Sequence, residues 1–281
     1  MPLRQRESSE LTVNWIDLGR ASLRYVDTGP RPGSGPPLVL LHEMGGTLET
    51  WDGCVPLLAG THRVVAYDWR GAGQSEKVSA SITLADHTGD LLALLDALGA
   101  GAPALLAGCA VGGAIAAAFA ADHPGRTAGL VLMSPALGIR PEQREDRLRQ
   151  VATFEANGLR SVVEASLAGG YPDRFRQGRE AEFASFRARW LANDPESLAA
   201  TYRMLIDMDT GPMLARIRCP VLAVGGEYDP LRPPDYVRGI AGQLADAAFV
   251  TAPGGHHMPH QIPEIVAGLI ADFAAKIAGG N

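Results

Sequence analysis

The sequence predicts an α/β protein: a mostly parallel, doubly wound sheet that carries an inserted group of helices. Several short apolar runs have the length of strands buried on both faces. Segments with helical periodicity alternate with these runs, which favours parallel strands joined by crossover helices. Residues 137–216 lack such runs and consist of charged, amphipathic segments, which indicates a helical insertion.

The first 98 residues predict the start of this sheet. Residues 1–10 are polar, without an apolar signal region, and we expect a loose tail. Alternating segments at 11–18 and 21–27 predict two antiparallel strands joined at Gly19-Arg20, and residues 30–37 predict a loop. The next elements are expected to be buried strands at 38–42 and 63–68, then a helix over 84–98 that ends at Gly99.

Four further apolar runs complete the predicted sheet. Residues 104–107 form a strand that leads through a sharp turn into a helix ending near residue 122. Buried strands are expected at 129–134, 220–225 and 248–251.

The segment between the predicted strands at 129–134 and 220–225 is too long for one crossover helix. Residues 144–157 and 180–191 are its clearest amphipathic segments. They could pack on the sheet as crossovers, but about eighty residues supply several helices. We therefore expect a cap over the carboxyl edge of the sheet, where open α/β folds bind ligands. The predicted organisation is a core of 1–136 and 217–281 with a cap of 137–216.

Composition excludes several classes of protein. The chain has 281 residues, a formal net charge of −6 and a pI of about 5.6, which argues against binding nucleic acid. No apolar run approaches the roughly 18 residues of a transmembrane helix. Cys54, Cys109 and Cys219 form no C-x-x-C pair, so neither a disulfide framework nor a zinc site is expected. We expect a cytoplasmic protein with a small-molecule substrate and no cofactor, metal, nucleic acid or membrane partner; its oligomeric state is not predicted.

Residues 108–113, Gly-Cys-Ala-Val-Gly-Gly, have the frame of a G-x-S-x-G nucleophile elbow but the wrong central residue. In that turn the residues two positions from the nucleophile must lack bulk, and Gly108 and Gly112 satisfy this requirement. The nucleophile position is Ala110, whose methyl group cannot attack a carbonyl. A plain glycine-rich turn between strand and helix is the alternative interpretation.

Candidate partners of residue 110 follow the last two predicted strands, in the chain order nucleophile, acid, histidine. Asp229 and Glu227 lie in the turn after 220–225, where a carboxylate could orient an imidazole; Asp229 could instead cap that turn. His256, His257 and His260 follow 248–251. They could form a metal cluster, but no acidic or cysteine ligand stands beside them.

A loop after the strand at 38–42 is the fourth element. It reads His42-Glu43-Met44-Gly45-Gly46. Its backbone N–H groups could contribute to an oxyanion hole. Glu43 is either a surface residue or a polar group at the rim of a pocket.

Together these motifs resemble the α/β-hydrolase family over nearly the whole chain. Residues 67–75, Tyr-Asp-Trp-Arg-Gly-Ala-Gly-Gln-Ser, are similar to the family's D-x-R-G-x-G-x-S turn. Within the family, the cap segments 190–196 and 206–209 most resemble 3-oxoadipate enol-lactone hydrolases and related ester, lactone and C–C bond hydrolases. Ala110 departs from the family's serine, and Glu43 departs from a glycine in the H-G-x-x-G oxyanion loop.

The resemblance implies roles for individual residues. Asp229 is favoured over Glu227 as the acid, and His256, seven residues before Pro263, is favoured over His257 as the base. The N–H groups of Met44 and Val111 are the implied oxyanion donors. Candidate substrate-binding residues are His42, Glu43 and Trp190, although Trp190 could equally be a core residue of the cap.

We interpret the chain as an acyl hydrolase in which the serine has been replaced, as in a substrate-trapping variant, because all that activates a serine remains. The alternatives are a natural pseudo-hydrolase that only binds a ligand, and a cofactor-free oxygenase or lyase that uses the His–Asp pair as a base. Cys109 as nucleophile is the least favoured, since its side chain should point away from the histidine.

Overall fold

The structure is a computed structural model that describes residues 12–31, 33 and 35–279. The tail predicted for residues 1–10, the first residue of the strand predicted at 11–18, and residues 32 and 34 of the predicted loop lie outside this range.

The described residues form one eight-stranded sheet with the order β1-β2-β4-β3-β5-β6-β7-β8. The sheet is mixed, because β2 pairs antiparallel with β4 whereas β3 pairs parallel with β4. Strands β1 and β2 are also antiparallel to each other. The remaining pairs, β3–β5, β5–β6, β6–β7 and β7–β8, are all parallel, as predicted. The bounds are β1 Val13–Asp17, β2 Ser22–Asp27, β3 Leu38–Leu41, β4 Val64–Tyr67, β5 Ala104–Cys109, β6 Thr127–Met133, β7 Val221–Gly226 and β8 Ala247–Ala252.

The central strands β3, β4, β5 and β7 are buried along their whole length because each is a run of apolar or small residues. Strand β5 is two residues longer than predicted. Gly108 and Cys109, assigned above to the turn, still pair with Leu132 and Met133 of β6. The chain therefore leaves the sheet at residue 110 itself.

Helices flank the sheet and fill the connections. Their bounds are α1 Val55–Leu58, α2 Leu84–Ala97, α3 Val111–Asp122, α4 Arg144–Asn157, α5 Val163–Gly170, α6 Glu180–Leu191, α7 Pro195–Asp207, α8 Gly211–Leu214, α9 Pro234–Ala241, α10 Met258–Gln261 and α11 Pro263–Ala278. Helix α2 begins with a capping box, in which the Thr83 and Asp86 side chains bond each other's backbone N–H. Helix α7 begins with Asp194 as its N-cap and Pro195 in its first turn.

Helices α4 to α8 all lie between β6 and β7, in the segment predicted to be helical. The amphipathic segments expected at 144–157 and 180–191 coincide with α4 and α6. Apolar side chains of α4 to α7 form a cluster separate from the sheet core, and Met44, which follows β3, packs against both clusters. The helices thus lie over the loop that leaves β3.

Within the described residues, no helix is both long enough and apolar enough to cross a membrane.

Candidate active site

Residue 110 occupies a strained turn between β5 and α3. Ala110 has φ 49° and ψ −111°, a region that non-glycine residues seldom adopt. Its N–H donates to Met133 O at 3.0 Å and its carbonyl accepts from Ala136 N at 2.9 Å, so the turn is held from both sides. The turn therefore has the conformation of a nucleophile elbow although its side chain is a methyl group.

The flanking glycines are required because the backbones approach closely. A Cβ on Gly108 would lie 2.4 Å from the Gly112 carbonyl oxygen. A Cβ on Gly112 would lie 2.3 Å from the carbonyl oxygen of Leu41 on β3. Helix α3 thus starts in contact with the end of β3, which brings the loop after β3 beside residue 110.

Asp229 and His256 meet at the carboxyl edge of the sheet. Asp229 Oδ2 lies 2.8 Å from His256 Nδ1, and Asp229 Oδ1 accepts from the backbone N–H groups of Leu231 and Arg232 at 2.9 and 3.0 Å. Burial alone would raise the pKa of Asp229. The His256 imidazole, the Ser134 hydroxyl and the Arg232 N–H outweigh it and lower that pKa to about 2.

The competing acid and base lie elsewhere. Glu227 is exposed, whereas Asp229 is buried. His257 Nδ1 lies 3.3 Å from Glu43 Oε1 and not against Asp229, and the Tyr171 hydroxyl pairs with His260 Nδ1 at 3.0 Å. The pairing of His256 with Asp229 is the arrangement that orients an imidazole in a catalytic triad.

Two backbone N–H groups stand beside the elbow. Val111 is the first residue of α3, so its N–H has no acceptor within the helix. None of the hydrogen bonds of the described residues uses the N–H of Met44. Both residues line the cavity described next, together with Ala110. The geometry is compatible with the oxyanion-hole role predicted for them.

A cavity of about 450 Å³ lies between the sheet edge and helices α4 to α7. Ala110 and His256 line its floor, and Trp190 lines its wall. Trp190 also belongs to the buried apolar cluster of the helical segment. Its two predicted roles, as a substrate-binding residue and as a core residue of these helices, are therefore compatible.

His42 and Glu43 do not line this cavity, contrary to the substrate-binding positions proposed for them. His42 is fully buried, its ring stacked on Trp69 with 4.9 Å between centroids. Glu43 is also fully buried, so it is neither a surface residue nor a polar group at the rim. Its carboxylate turns inward beneath the loop, where Thr50 Oγ1 donates to it at 3.1 Å.

The Cys109 thiol contacts the backbone of His256. Its Sγ lies 3.2 Å from the His256 carbonyl oxygen. Burial, with Glu43 and Asp229 nearby, raises the pKa of the thiol well above its usual value. A thiol that resists ionisation is a poor nucleophile.

Sequence reasoning missed three polar groups at the site. Ser134, at φ 44° directly after β6, lies beside the Asp229 carboxylate. Arg147 and Arg232 line the cavity; His257, named above as the alternative base, lines it as well. The sequence contains little indication that these arginines face a cavity. Arg232 stands out only because it follows Asp229 by three residues, and nothing in the sequence distinguishes Arg147 from the other arginines of α4.

The elbow, the His–Asp pair and the cavity beneath the inserted helices are the arrangement expected of an α/β hydrolase. Residues 36–261 match the family described as the alpha/beta hydrolase fold, and the chain belongs to that family.

Several of the proteins that it resembles are lactonases or esterases. It is 29% identical over 201 residues to 3-oxoadipate enol-lactonase 1 of Acinetobacter baylyi, covering 71% of this chain and 74% of that one. Among solved structures, the enol-lactonase of Burkholderia xenovorans superposes with a TM-score of 0.86 at 27% identity, covering 93% of this chain and 100% of that one. A malate-bound esterase of Thermogutta terrifontis superposes with a TM-score of 0.84 at 27% identity, covering 92% and 94%.

Proposed function

We propose that this chain has the site of a serine-hydrolase-type enzyme that acts by nucleophilic acyl transfer, in a form whose nucleophile is replaced by Ala110. The main support is that the oriented His256–Asp229 pair opens on the same cavity as the strained residue 110. With alanine there, the pocket remains but the covalent step is absent.

Each remaining part has a defined task once a serine hydroxyl stands at position 110. His256 accepts the hydroxyl proton at Nε2 as the oxygen bonds to the acyl carbon, and Asp229 holds its Nδ1 proton and stabilises the imidazolium. The N–H groups of Met44 and Val111 bind the developing oxyanion. Loss of one such donor typically costs about 10²–10³ in rate.

The proposed substrate is a small carboxylic ester, a lactone or a compound cleaved at a C–C bond. The enol-lactonase and esterase relatives support the ester and lactone classes. We assign the cap to residues 137–216, because these helices cover the cavity and would exclude water from it. Two arginines further favour a substrate that bears a carboxylate.

Arg147 and Arg232 line both the inner cavity and an adjoining outer cavity of about 390 Å³. No aspartate or glutamate lines either cavity. The Arg147 guanidinium donates to Gln150 and that of Arg232 to backbone carbonyls, so neither has a carboxylate partner among the described residues. Arginine is well suited to bind a carboxylate.

Two other functions use the same site without a serine. A natural pseudo-hydrolase would bind the ligand and release it unchanged; the intact cavity beside Ala110 favours this candidate. A cofactor-free oxygenase or lyase would use the His256–Asp229 pair directly as a base. The codon for residue 110 in the source genome separates a natural from an introduced alanine.

We also place the protein in the cytoplasm. The cysteines of the described residues are all free thiols, which suits a reducing compartment.

The decisive experiment is Ala110→Ser. Hydrolysis of p-nitrophenyl acetate should rise by orders of magnitude, since a site without its nucleophile retains only about 10³–10⁴-fold catalysis over water. Equal rates for both proteins would contradict the assignment of residue 110. In crystals of the unchanged chain soaked with esters or lactones, we expect intact ligand beside Ala110; a ligand bound only outside the cap would contradict the assignment of the cavity.

A further inference from the structure

The loop that carries His256 is held by hydrogen bonds at three successive residues. On the core side, the N–H of Tyr228, in the turn that holds Asp229, donates to the Gly254 carbonyl at 3.0 Å. The other two bonds reach the N–H groups of Gly255 and His256, and their acceptors lie outside the sheet. The position of His256 therefore depends on more than the turn of its acid partner.

The inserted helices supply the bond to His256 itself. Gly170 is the last residue of α5, where carbonyl groups have no N–H partner within the helix. Its carbonyl accepts from the backbone N–H of His256 at 3.2 Å. Pro172 follows so closely that a Cβ on Gly255 would lie 2.9 Å from its Cδ. The end of α5 thus packs directly against the loop that carries the imidazole.

Gln261, the last residue of α10, joins the loop to the end of α5. It is buried; its Oε1 accepts from the Gly255 N–H at 2.7 Å, and its Nε2 donates to the Gly170 carbonyl at 3.2 Å. One neighbour is a donor and the other an acceptor, and a side-chain amide offers the matching group to each. The Gln261 amide therefore bonds the residue before His256 and also the carbonyl that accepts from His256.

A second contact from the inserted helices holds the backbone of Gln261. Arg179, which precedes α6, donates from its guanidinium to the Gln261 carbonyl at 2.9 Å and to the His260 carbonyl at 3.2 Å. These carbonyls lie at the C-terminal end of α10, where the helix itself provides no N–H partner. The segment 255–261 is thus bonded to the helical insertion at both of its ends.

We propose that Gln261 is a positioning residue for His256, through which the helical insertion places the base against Asp229 and residue 110. The described residues that line the cavity do not include Gln261, so it acts on the reaction only through His256. Placement matters because a displacement of about 1 Å can cost about 10²-fold in rate. On this account the insertion does more than cover the cavity. This role rests on the acyl-transfer function proposed above.

The test measures kcat and KM for p-nitrophenyl acetate in the Ala110→Ser protein. Gln261→Met keeps the length of the side chain but removes both of its hydrogen bonds. We expect kcat to fall by about 10²-fold with KM little changed, because the base is displaced while the cavity is intact. Gln261→Glu still offers an acceptor to the Gly255 N–H, so its kcat should fall in the same way but by less.

Gln243→Met is the matched control, because the Gln243 amide also donates to a backbone carbonyl, that of Gly239 at 3.1 Å, but on the exposed surface after α9. It should leave kcat and KM unchanged. An unchanged kcat in Gln261→Met, or a loss confined to KM, would refute the positioning role while leaving the hydrolase function intact. If Gln261→Met does not fold, Gln261→Glu is judged by the same criteria.

Proton NMR of the chain with Ala110 gives a readout that needs no turnover, so it decides on Gln261 even if Ala110→Ser fails to hydrolyse the ester and the proposed function falls. The Nδ1 proton that His256 shares with Asp229 should give a resonance far downfield. We expect Gln261→Met to shift or broaden it and Gln243→Met to leave it unchanged. A purely structural Gln261 would lower the free energy of unfolding in urea without moving this resonance, and that result would overturn the proposal.

Discussion

Asp229 Oδ2 lies 2.8 Å from His256 Nδ1, although the two residues follow different strands, β7 and β8. These strands are parallel neighbours, so their carboxyl ends meet at one edge of the sheet. The fold therefore brings the pair together. The backbone N–H groups of Leu231 and Arg232 then fix the carboxylate.

His256 should be essential for turnover of p-nitrophenyl acetate in the Ala110→Ser protein. His256→Ala removes the imidazole that Asp229 orients, so activity should be lost. His257→Ala should keep most of it, since His257 lies against Glu43 and not against Asp229. Initial rates at saturating ester test both variants; loss in the His257 variant with full activity in the His256 variant would reverse the assignment.

Asp229→Asn in the same background should lower kcat by about 10⁴, because the amide favours the wrong tautomer of His256. Glu227→Gln is the control, since Glu227 is exposed in the same turn. A mild effect of the first change with a severe effect of the second would make Glu227 the acid.

Arg232 should discriminate in favour of substrates that carry a carboxylate. In the Ala110→Ser protein, Arg232→Gln should raise KM for monomethyl succinate about tenfold or more, since a hydrogen bond to a charged group contributes roughly 1.5–3 kcal/mol. KM for neutral methyl butyrate should change little. Arg140→Gln is the control, because Arg140 lines the outer cavity but pairs with Glu142. Equal effects on both esters would exclude a carboxylate contact.

The buried Glu43 should make stability depend on pH in the acid range. Folding lowers its pKa from the ordinary 4.5 to about 2, so the stabilisation is complete above about pH 4.5 and is lost as pH falls towards 2. The gap in unfolding free energy between the unchanged chain and Glu43→Gln should shrink by about 2 kcal/mol from pH 6 to pH 3. Urea titrations of both proteins measure it, and a gap independent of pH would show that Glu43 is not held ionised.

The sequence alone predicted the strands of the sheet well, because most of them are indicated by a short, continuous apolar run. Each apolar run became a strand with ends shifted by one or two residues, and α4 and α6 have their predicted bounds. The two-residue shift at the end of β5 arose because Gly108 and Cys109 resemble turn residues in sequence yet still pair with β6.

Side-chain contacts between distant segments were harder to foresee. Asp229 and His256 could be paired because both follow recognisable strands. Glu43 and His257 could not, since nothing local shows that a loop glutamate turns inward or that the second of two adjacent histidines meets it. The cavity arginines likewise depend on how α4 and the turn after β7 pack.

The positive φ of Ala110 has a consequence for the energetics of the whole protein. A non-glycine residue held in such a region costs on the order of 1–3 kcal/mol, and alanine gains no chemistry in exchange. Glycine adopts this region freely, so Ala110→Gly should relieve part of that strain, against a larger entropy loss on folding. The turn thus marks a trade-off between stability and function. The fold keeps residue 110 in an active-site conformation whose strain lowers the free energy of unfolding.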